Sequence, residues 1–324
     1  MDTGTFCISL DFELFWGVRD HRTINSYGEN LRNVHVIVPR LLELFKQYNV
    51  HCTWATVGIL FCNDKEELLK HLPAKLPVYK HERYNPYPYI RDNNLESVYH
   101  FAPHLIELIS QYNGQEIASH TFSHYYCLEG IQTAQDFEAD MQSAIQIARE
   151  KNIEIKSLVF PRNQFNDSYL QVCKKLGITS YRGNEHSWLY AAKNRDEENF
   201  MRRIARLMDA YINISGHHTY PLQNLTSDAL ADIPSSRFLR QYDSKVKILD
   251  GLRLQRICNS MHYAAKKNEL YHLWWHPHNF GADIEQNFSF LEKILKHFSF
   301  LQDQYNMQSL TMNEIANQIN PAKQ

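Results

Sequence analysis

Residues 9–17 read SLDFELFWG and place two carboxylates, Asp11 and Glu13, at the end of an apolar stretch. Residues 5–10 have the pattern of a buried first strand. Because side chains two residues apart on a strand point to the same side, both acids would face one site. Burying acids among Leu and Phe side chains costs free energy unless they have partners. The stretch therefore predicts a functional pair, in which one acid binds a cation and the other takes a proton from water, with a salt-bridged rim pair as the alternative.

Short apolar strands alternate with helical patterns along the chain, which is typical of parallel βαβ units. The regular units predict an α/β fold, a single domain over residues 1–324 built as a barrel of seven or eight strands. Two segments, at residues 73–94 and 185–245, interrupt the alternation and are predicted to be insertions over one rim. A capping box at Thr311 and Glu314 predicts a short last helix. The strands are predicted at residues 5–10, 51–60, 116–121, 155–161, 179–183, 270–276 and 308–312, and the main helices from Pro39 and at residues 134–150, 167–176 and 288–305.

In a barrel of this kind the catalytic side chains lie at the carboxyl ends of the strands. Polar residues follow four of the predicted strands, and Asp11 ends the first of them. The other three strand ends supply His120 and His124, Arg162 and Asn163, and His276 and His278. Acid, imidazole and guanidinium groups are thus predicted to meet on one rim.

A spacing of four places the imidazoles of His120 and His124 on one face of a helical turn, close enough to share a metal ion. A catalytic zinc takes three protein ligands and leaves a fourth position open for water. A carboxylate from the first strand would complete this set. Because the chain has 17 histidines, chance spacing is the alternative, but Ser119 and Ser123 favour a polar turn over a core face.

Four further side chains are candidates for roles on the rim. Arginine cannot lose its proton, so Arg162 is predicted to hold a carboxylate charged and oriented, unless it is an ordinary surface residue. His276 is a candidate to protonate a leaving amine, with a partly buried histidine satisfied by the backbone as the alternative. Trp16 and Trp188 lie just past strand ends and are candidate platforms for a sugar ring.

The sequence composition indicates which kinds of molecule the protein binds and in which cellular compartment it is expected. With 34 basic and 36 acidic residues the net charge is −2, which argues against a nucleic-acid-binding protein. The N-terminus lacks the pattern of a signal peptide, and no apolar stretch reaches membrane-spanning length. The six scattered cysteines form no CxxC pair, which is typical of reduced thiols. We therefore expect a cytoplasmic protein.

Taken together, these motifs resemble those of the polysaccharide deacetylase superfamily, carbohydrate esterase family 4, whose shared unit is the NodB homology domain. The resemblance rests on SLDFELFWG, SHTFSH, FPRN and WWHPH in that order, and it covers most of the chain. It is closest to the cytoplasmic branch, which includes proteins of surface-polysaccharide gene clusters and allantoinase-like relatives. It implies a distorted, incomplete (β/α)7-8 barrel that holds a divalent metal, usually zinc.

The resemblance also implies a role for each residue of the rim. These roles are catalytic base for Asp11, metal ligand for Glu13, His120 and His124, base-orienting arginine for Arg162, and general acid for His276. Trp16, Asn163, Trp188 and His278 are expected to contact the substrate. In this chain one residue separates the two acids and the second acid is Glu, so exchanged roles for the two stay open. The segment that normally supplies an aspartate to the arginine reads YRGNEHSW, with Glu185 as a poor substitute.

The implied activity is hydrolysis of an amide. We expect N-deacetylation of a carbohydrate, an N-acetylated sugar precursor in surface polysaccharide biosynthesis, with a nucleotide-linked or lipid-linked substrate. The alternatives are hydrolysis of a cyclic amide or imide, as in the allantoinase-like branch, and carbohydrate binding without catalysis.

Overall fold

Strand β1 (Thr5–Phe12) is buried along its whole length and lies near the centre of one curled sheet. The computed structural model describes residues 3–129, 131–187, 189–190, 200–225 and 230–320. The other described strands are β2 (Cys52–Thr56), β3 (Gln115–Ser119), β4 (Ser157–Leu158), β5 (Ser180–Tyr181), β6 (Tyr220–Pro221), β7 (Ala231–Asp232), β8 (Arg237–Phe238), β9 (Glu269–Trp275) and β10 (Gln308–Ser309). The described helices are α1 (Ile24–Gln47), α2 (Lys65–Lys70), α3 (Pro86–Asp92), α4 (Ser97–His100), α5 (Pro103–Ser110), α6 (Ala134–Glu150), α7 (Asp167–Lys175), α8 (Phe200–Asp209), α9 (Asp250–Lys267), α10 (Ile284–Tyr305) and α11 (Met312–Ile319). Of these helices, none combines the length and the apolar character needed to cross a bilayer.

Parallel pairing orders the strands β9, β1, β2, β3, β4, β5 and β7 across the sheet. Ser9 of β1 lies beside Thr53 of β2 on one side and Trp274 of β9 on the other. β7 pairs with β5 and β8 pairs with β9, so the short stretch from Ala231 to Phe238 joins the two sides of the curled sheet. Outside the sheet, α5 packs on β3 and α9 packs on β9. The structure is therefore the distorted α/β barrel that the sequence predicts.

Helix α1 is longer than predicted, because it begins at Ile24 rather than at Pro39. A capping box starts it: the Thr23 hydroxyl accepts a hydrogen bond from the backbone N–H of Ser26, and the Ser26 hydroxyl accepts one from the backbone N–H of Thr23. Pro39 lies inside the helix, where it removes one backbone hydrogen bond. The buried apolar face continues on both sides of Pro39 and outweighs this cost.

The two predicted insertions differ in what they add to the fold. The segment at residues 185–245 contains α8 and also supplies β6, β7 and β8, so it completes the sheet as well as covering it. The segment at residues 73–94 contains α3 and packs Tyr79 and Tyr84 against Tyr126. Because Tyr126 follows β3, this second segment lies over the rim at which the carboxyl ends of the strands meet.

The interior of the barrel has an apolar floor and a polar upper level. Near the amino ends of the strands Cys7, Leu270 and Met312 form one buried apolar cluster, to which α11 contributes. Further along β1, Ser9 and Asp11 point to the same side as Cys7, because strand side chains alternate. The polar residues therefore lie at the carboxyl ends of the strands, above a closed base.

Gly58 packs against the loop that follows β3 and leaves no room for a side chain. A Cβ atom at this position would lie 2.9 Å from Cα of Phe122 and 3.3 Å from Cα of Ala144 in α6. We expect Gly58→Ala to reduce the free energy of unfolding by about 1–3 kcal/mol, measured by chemical denaturation. Gly251→Ala in α9 is the control, because nothing lies within 4 Å of a Cβ there. Equal denaturation midpoints for the two variants would contradict this account of the packing.

Candidate active site

Three side chains of the kind that bind metals converge at the carboxyl ends of β1 and β3. The Oε2 atom of Glu13 lies 3.3 Å from Nε2 of His120 and 3.2 Å from Nε2 of His124. One ligand atom from each residue fits within a group of atoms no more than 4.8 Å apart. All three side chains are buried. The structure thus brings together the residues that the sequence predicts as metal ligands, at a spacing that one cation can bridge.

The turn after β1 folds the carboxylate of Glu13 back over Gly17. Leu14 adopts a left-handed φ of 45°, which is a strained conformation for leucine. A 3-10 turn follows (Leu14–Gly17), and the backbone N–H of Trp16 donates to the carbonyl of Glu13. A Cβ atom at position 17 would lie 1.8 Å from Cδ of Glu13. Only glycine leaves room for the carboxylate, which explains the glycine in SLDFELFWG.

The two histidines do not lie on a helical turn, so that part of the sequence prediction is wrong. They lie in the loop after β3, where Thr121 and His124 have left-handed φ values of 63° and 57°. The backbone N–H of His120 donates to the carbonyl of Thr56, and the N–H of Gly58 donates to the carbonyl of Thr121. The two imidazole rings still meet, with centroids 5.1 Å apart. Turn geometry rather than helical spacing brings them together.

Asp140 of α6 holds this loop from behind. It is fully buried, and its Oδ1 accepts a hydrogen bond of 2.6 Å from the backbone N–H of Phe122, while Oδ2 accepts one from the hydroxyl of Ser123. Burial raises the pKa of Asp140 to about 6, although these hydrogen bonds oppose the shift. The sequence does not single out Asp140, because an acid within a helical pattern is usually solvated.

The protonation states of the cluster fit a bound cation. The Nδ1 atom of His120 lies 2.8 Å from the carbonyl oxygen of Val159 and donates to it, so its Nε2 lone pair faces Glu13. Burial lowers the pKa of His124. Burial alone would raise the pKa of Glu13, but the surrounding imidazoles, above all His276, hold it well below its ordinary value. An ionised oxygen that faces an imidazole lone pair needs a cation or a proton between them, and Glu/His/His is a set that zinc uses.

Asp11 is paired with an arginine buried inside the barrel. Arg182 follows β5 and donates from its two Nη atoms to the two carboxylate oxygens of Asp11, at 2.7 and 2.8 Å. It also donates to the hydroxyl of Ser9 and the side-chain oxygen of Asn163, and its guanidinium lies 4.1 Å from the ring centre of Trp274. Burial alone would raise the pKa of Asp11, but Arg182 contributes most to keeping it below its ordinary value.

Arg162 is not the partner of Asp11, which corrects the sequence prediction. It pairs instead with two rim acids, Asp20 and Glu129. The chain turns sharply after β4, with a left-handed φ of 57° at Arg162, and this turn carries the side chain to the rim. Arg182, within YRGNEHSW, is the residue that sequence reasoning missed. Its signal was its place at the carboxyl end of a predicted strand, residues 179–183, because the other residues of the site also lie at strand ends.

The two histidines of WWHPH both reach the carboxylates. The Nε2 atom of His276 lies 3.6 Å from Oδ2 of Asp11 and 3.6 Å from Oε1 of Glu13. Burial lowers the pKa of His276 to about 4, with the two carboxylates opposing the shift. The Nε2 atom of His278 lies 3.1 Å from Oε1 of Glu13, and its Nδ1 lies 2.9 Å from the hydroxyl of Tyr27. His276 therefore lies between the two acids, whereas His278 is buried and positions Glu13.

The other residues predicted to contact the substrate have different surroundings. Trp16 is 2% exposed, and its indole N–H donates to the carbonyl of His100 at 2.8 Å. It is a core residue and offers no open ring face, which corrects the prediction of a stacking platform. Asn163 holds Arg182 through its side-chain oxygen. Trp188 lies outside the described residues.

The chain was compared with known families and proteins. Residues 30–181 match the family model described as polysaccharide deacetylase. A search of curated proteins found no match. Among solved structures, one from Mycobacterium smegmatis that is named as a polysaccharide deacetylase has a TM-score of 0.64 and 13% identity, over 100% of this chain and 92% of the other.

Two more solved structures have a similar fold. Puue allantoinase matches with a TM-score of 0.56 and 11% identity, over 98% of this chain and 91% of the other. A structure from Pseudomonas aeruginosa PAO1, also named as a polysaccharide deacetylase, matches with a TM-score of 0.54 and 12% identity, over the same shares of the two chains. At these identities the likeness concerns the fold.

Removal of one imidazole tests whether the cluster binds a cation. We expect the purified chain to retain zinc after free ion is removed. We expect His124→Ala to lower the affinity for zinc by well over the roughly 10–100-fold that is typical when a group hydrogen-bonded to a metal ligand is removed. Zinc per chain is measured by elemental analysis. His104→Ala, which removes an exposed histidine from α5, is the control and should retain zinc. Equal zinc content in both variants would remove His124 from the ligand set.

Proposed function

Since the chain belongs to the polysaccharide deacetylase superfamily, we propose that it is a metal-dependent amide hydrolase. It removes the acetyl group from an N-acetylated sugar precursor of a surface polysaccharide. The observation that carries this proposal is the ion-paired carboxylate of Asp11 beside the cluster of Glu13, His120 and His124. A base held in its charged form next to a cation-binding set can add water to an amide.

In the proposed reaction the cation would act on the amide and on water, and the base acts on water. A divalent cation held by Glu13, His120 and His124 would polarise the amide carbonyl and lower the pKa of water. Arg182 keeps the carboxylate of Asp11 charged and fixes its orientation through two hydrogen bonds. Asp11 is then ready to take the proton from water as it adds to the carbonyl carbon.

The acid and the positioning residues complete the site. His276 lies 3.6 Å from Asp11, so its imidazole can take up the proton that Asp11 removes from water and pass it to the departing amine. His278 holds one oxygen of Glu13, and Tyr27 holds His278 in turn. This chain of contacts leaves the other oxygen of Glu13 facing the two imidazoles of the cluster.

The partners of the two acids favour Asp11 as the base and Glu13 as the ligand. Both oxygens of Asp11 accept hydrogen bonds from Arg182, and a cationic partner disfavours the approach of a second cation. Among the described residues, the ion-pair partners of the Glu13 oxygens are all imidazoles. The exchanged assignment would place the metal against a guanidinium.

The proposed substrate is a nucleotide-linked or lipid-linked sugar, and the proposed location is the cytoplasm. All six cysteines are free thiols and five of them are buried, which suits a reducing compartment. A sugar precursor rather than a finished polymer would be the substrate available there.

Hydrolysis of a cyclic amide is the second candidate, because the same base and acid could open a ring amide. Carbohydrate binding without catalysis is the third candidate.

An assay of two reactions distinguishes these candidates. Wild type with zinc is tested for acetate release from N-acetylated sugars and for ring opening of allantoin. We expect acetate release, reduced at least about 100-fold in Asp11→Asn with zinc retained. Asp92→Asn, an exposed acid, is the control. Ring opening alone would support the second candidate, and no turnover with zinc bound would support the third.

A matched pair of arginine variants tests which guanidinium orients the base. Lysine keeps the charge but cannot donate two parallel hydrogen bonds to Asp11. We expect Arg182→Lys to lower kcat by about 100-fold, because misplacement of the base by about 1 Å costs that much. Arg162→Lys should change kcat little, since Arg162 pairs with Asp20 and Glu129. The reverse order of effects would restore Arg162 to the role that the sequence suggested.

A further inference from the structure

A fully buried histidine, His272, lies inside the barrel, and the proposed mechanism does not use it. It belongs to β9, where it lies beside Cys7 of β1. Because strand side chains alternate, His272 points to the same side of β9 as Trp274, whose ring centre lies 4.1 Å from the guanidinium of Arg182. His272 is therefore close to the ion pair that holds the proposed base.

A continuous series of hydrogen bonds connects His272 to the proposed base. The Nε2 atom of His272 lies 2.8 Å from the hydroxyl oxygen of Ser9. The same oxygen accepts a hydrogen bond of 3.0 Å from Nη1 of Arg182, and Nη1 also donates to Oδ1 of Asp11 at 2.7 Å. All four side chains are buried. A change at His272 can therefore reach Asp11 through only two intervening side chains.

The donors and acceptors of this series have one consistent direction. The Nδ1 atom of His272 lies 3.2 Å from the carbonyl oxygen of Ile233, which can only accept, so Nδ1 carries the proton. Burial, and after it the charge of Arg182, lowers the pKa of His272 to about 3, so the ring is neutral. Its Nε2 lone pair then accepts the single proton of the Ser9 hydroxyl. The oxygen of Ser9 is left to accept from Arg182.

The segment at residues 185–245 fixes the position of His272. The backbone N–H of His272 donates to the hydroxyl of Ser236, and the backbone N–H of Ser236 donates to the carbonyl of His272, both at 2.8 Å. Ser236 and Ile233 lie in the stretch between β7 and β8. The part of the chain that completes the sheet thus also holds the imidazole ring from two sides.

The Ser9 hydroxyl completes the set of acceptors around Arg182. Nη2 of Arg182 donates to Asp11 and to the side-chain oxygen of Asn163, which also accepts from Nε, and Nη1 donates to Asp11 and Ser9. Every guanidinium proton has an acceptor only while the Ser9 oxygen faces Arg182. Without an acceptor at position 272, the Ser9 hydroxyl could rotate and direct its proton toward the guanidinium, which repels it.

We propose that His272 and Ser9 are positioning residues for the proposed hydrolysis, which fix the rotation of the Arg182 guanidinium and through it the orientation of the Asp11 carboxylate. The inference rests on the proposed function and extends it to a histidine that contacts neither Asp11 nor the Glu13 cluster at hydrogen-bond distance. Because misplacing a catalytic group slows the chemical step, we expect the effect in kcat rather than in KM or in zinc content.

Acetate release by zinc-loaded full-length variants tests the proposal. We expect Ser9→Ala and His272→Leu each to lower kcat about 10-fold, with KM and bound zinc unchanged. The double variant should also lose about 10-fold rather than about 100-fold, since both changes interrupt one series. His272→Gln should stay within about 3-fold of wild type, because its amide oxygen can accept from Ser9 in place of Nε2.

A second serine–histidine pair provides the matched control. The hydroxyl of Ser215 lies 2.6 Å from Nε2 of His218, in the segment at residues 185–245. Ser215→Ala removes the same kind of hydrogen bond as Ser9→Ala and should keep the kcat of wild type. An equal loss of kcat in the two variants would overturn the proposal, because it would be a general effect of losing such a bond.

Nitrogen-15 NMR of the arginine-labelled chain gives a readout that needs no turnover. The Nη signals of Arg182 are those absent from Arg182→Lys. We expect them to shift or broaden in Ser9→Ala and His272→Leu, and to keep their wild-type positions in His272→Gln and Ser215→Ala. Should His272→Leu not fold, Ser9→Ala, the smaller change, carries the same comparison.

The outcomes separate this inference from the proposed function. Unchanged Arg182 signals in folded Ser9→Ala overturn the inference whether or not acetate is released. Single losses of kcat that multiply in the double variant also overturn it, as does a His272→Gln variant as slow as His272→Leu. Changed Arg182 signals without acetate release by wild type support the role of Ser9 and His272 in holding Arg182 and contradict the deacetylase.

Discussion

The buried ion pair of Asp11 and Arg182 joins β1 to β5 across the barrel, and the polar level of the interior is arranged around it. Two charges removed from water are stable there only with good geometry and with every remaining donor satisfied. The structure meets both conditions, because the hydroxyl of Ser9 and the side-chain oxygen of Asn163 accept the hydrogen bonds that Asp11 does not. Removing one partner of such a pair typically costs 3–5 kcal/mol. The contact that orients the proposed base therefore also stabilises the barrel.

The two acids of SLDFELFWG have different partners because they differ in backbone conformation. β1 ends at Phe12, so Asp11 points into the barrel from a strand, whereas Glu13 belongs to the turn, with φ of −131° and ψ of −15°. The alternation of a strand does not place Glu13; the left-handed Leu14 and the space over Gly17 do. As a result one acid meets a guanidinium and the other meets imidazoles. A single residue between two acids is enough to give them different partners, which supports the proposed roles of Asp11 as base and Glu13 as metal ligand.

Sequence reasoning identified the strand ends well and the turns after them poorly. The barrel and the meeting of Glu13, His120 and His124 follow from alternating apolar strands and from the rule that parallel strands end at one rim. Which of two arginines reaches Asp11 depends instead on backbone dihedral angles. Arg162 has φ of 57°, and nothing in FPRN requires this value. Asp140 was not predicted for a similar reason. The sequence of a helix does not show that one of its acids is buried, because the burial depends on the conformation of the neighbouring loop.

The three arginines near the site differ in how far neighbouring groups compensate their positive charge. Arg182 is fully enclosed by acceptors, and Arg162 has two acids and lies over the rings of Tyr84 and Tyr126. Arg19 has aromatic faces and no carboxylate among the described residues. Because arginine does not lose its proton, the charge of Arg19 costs free energy that no ion pair within the described chain offsets.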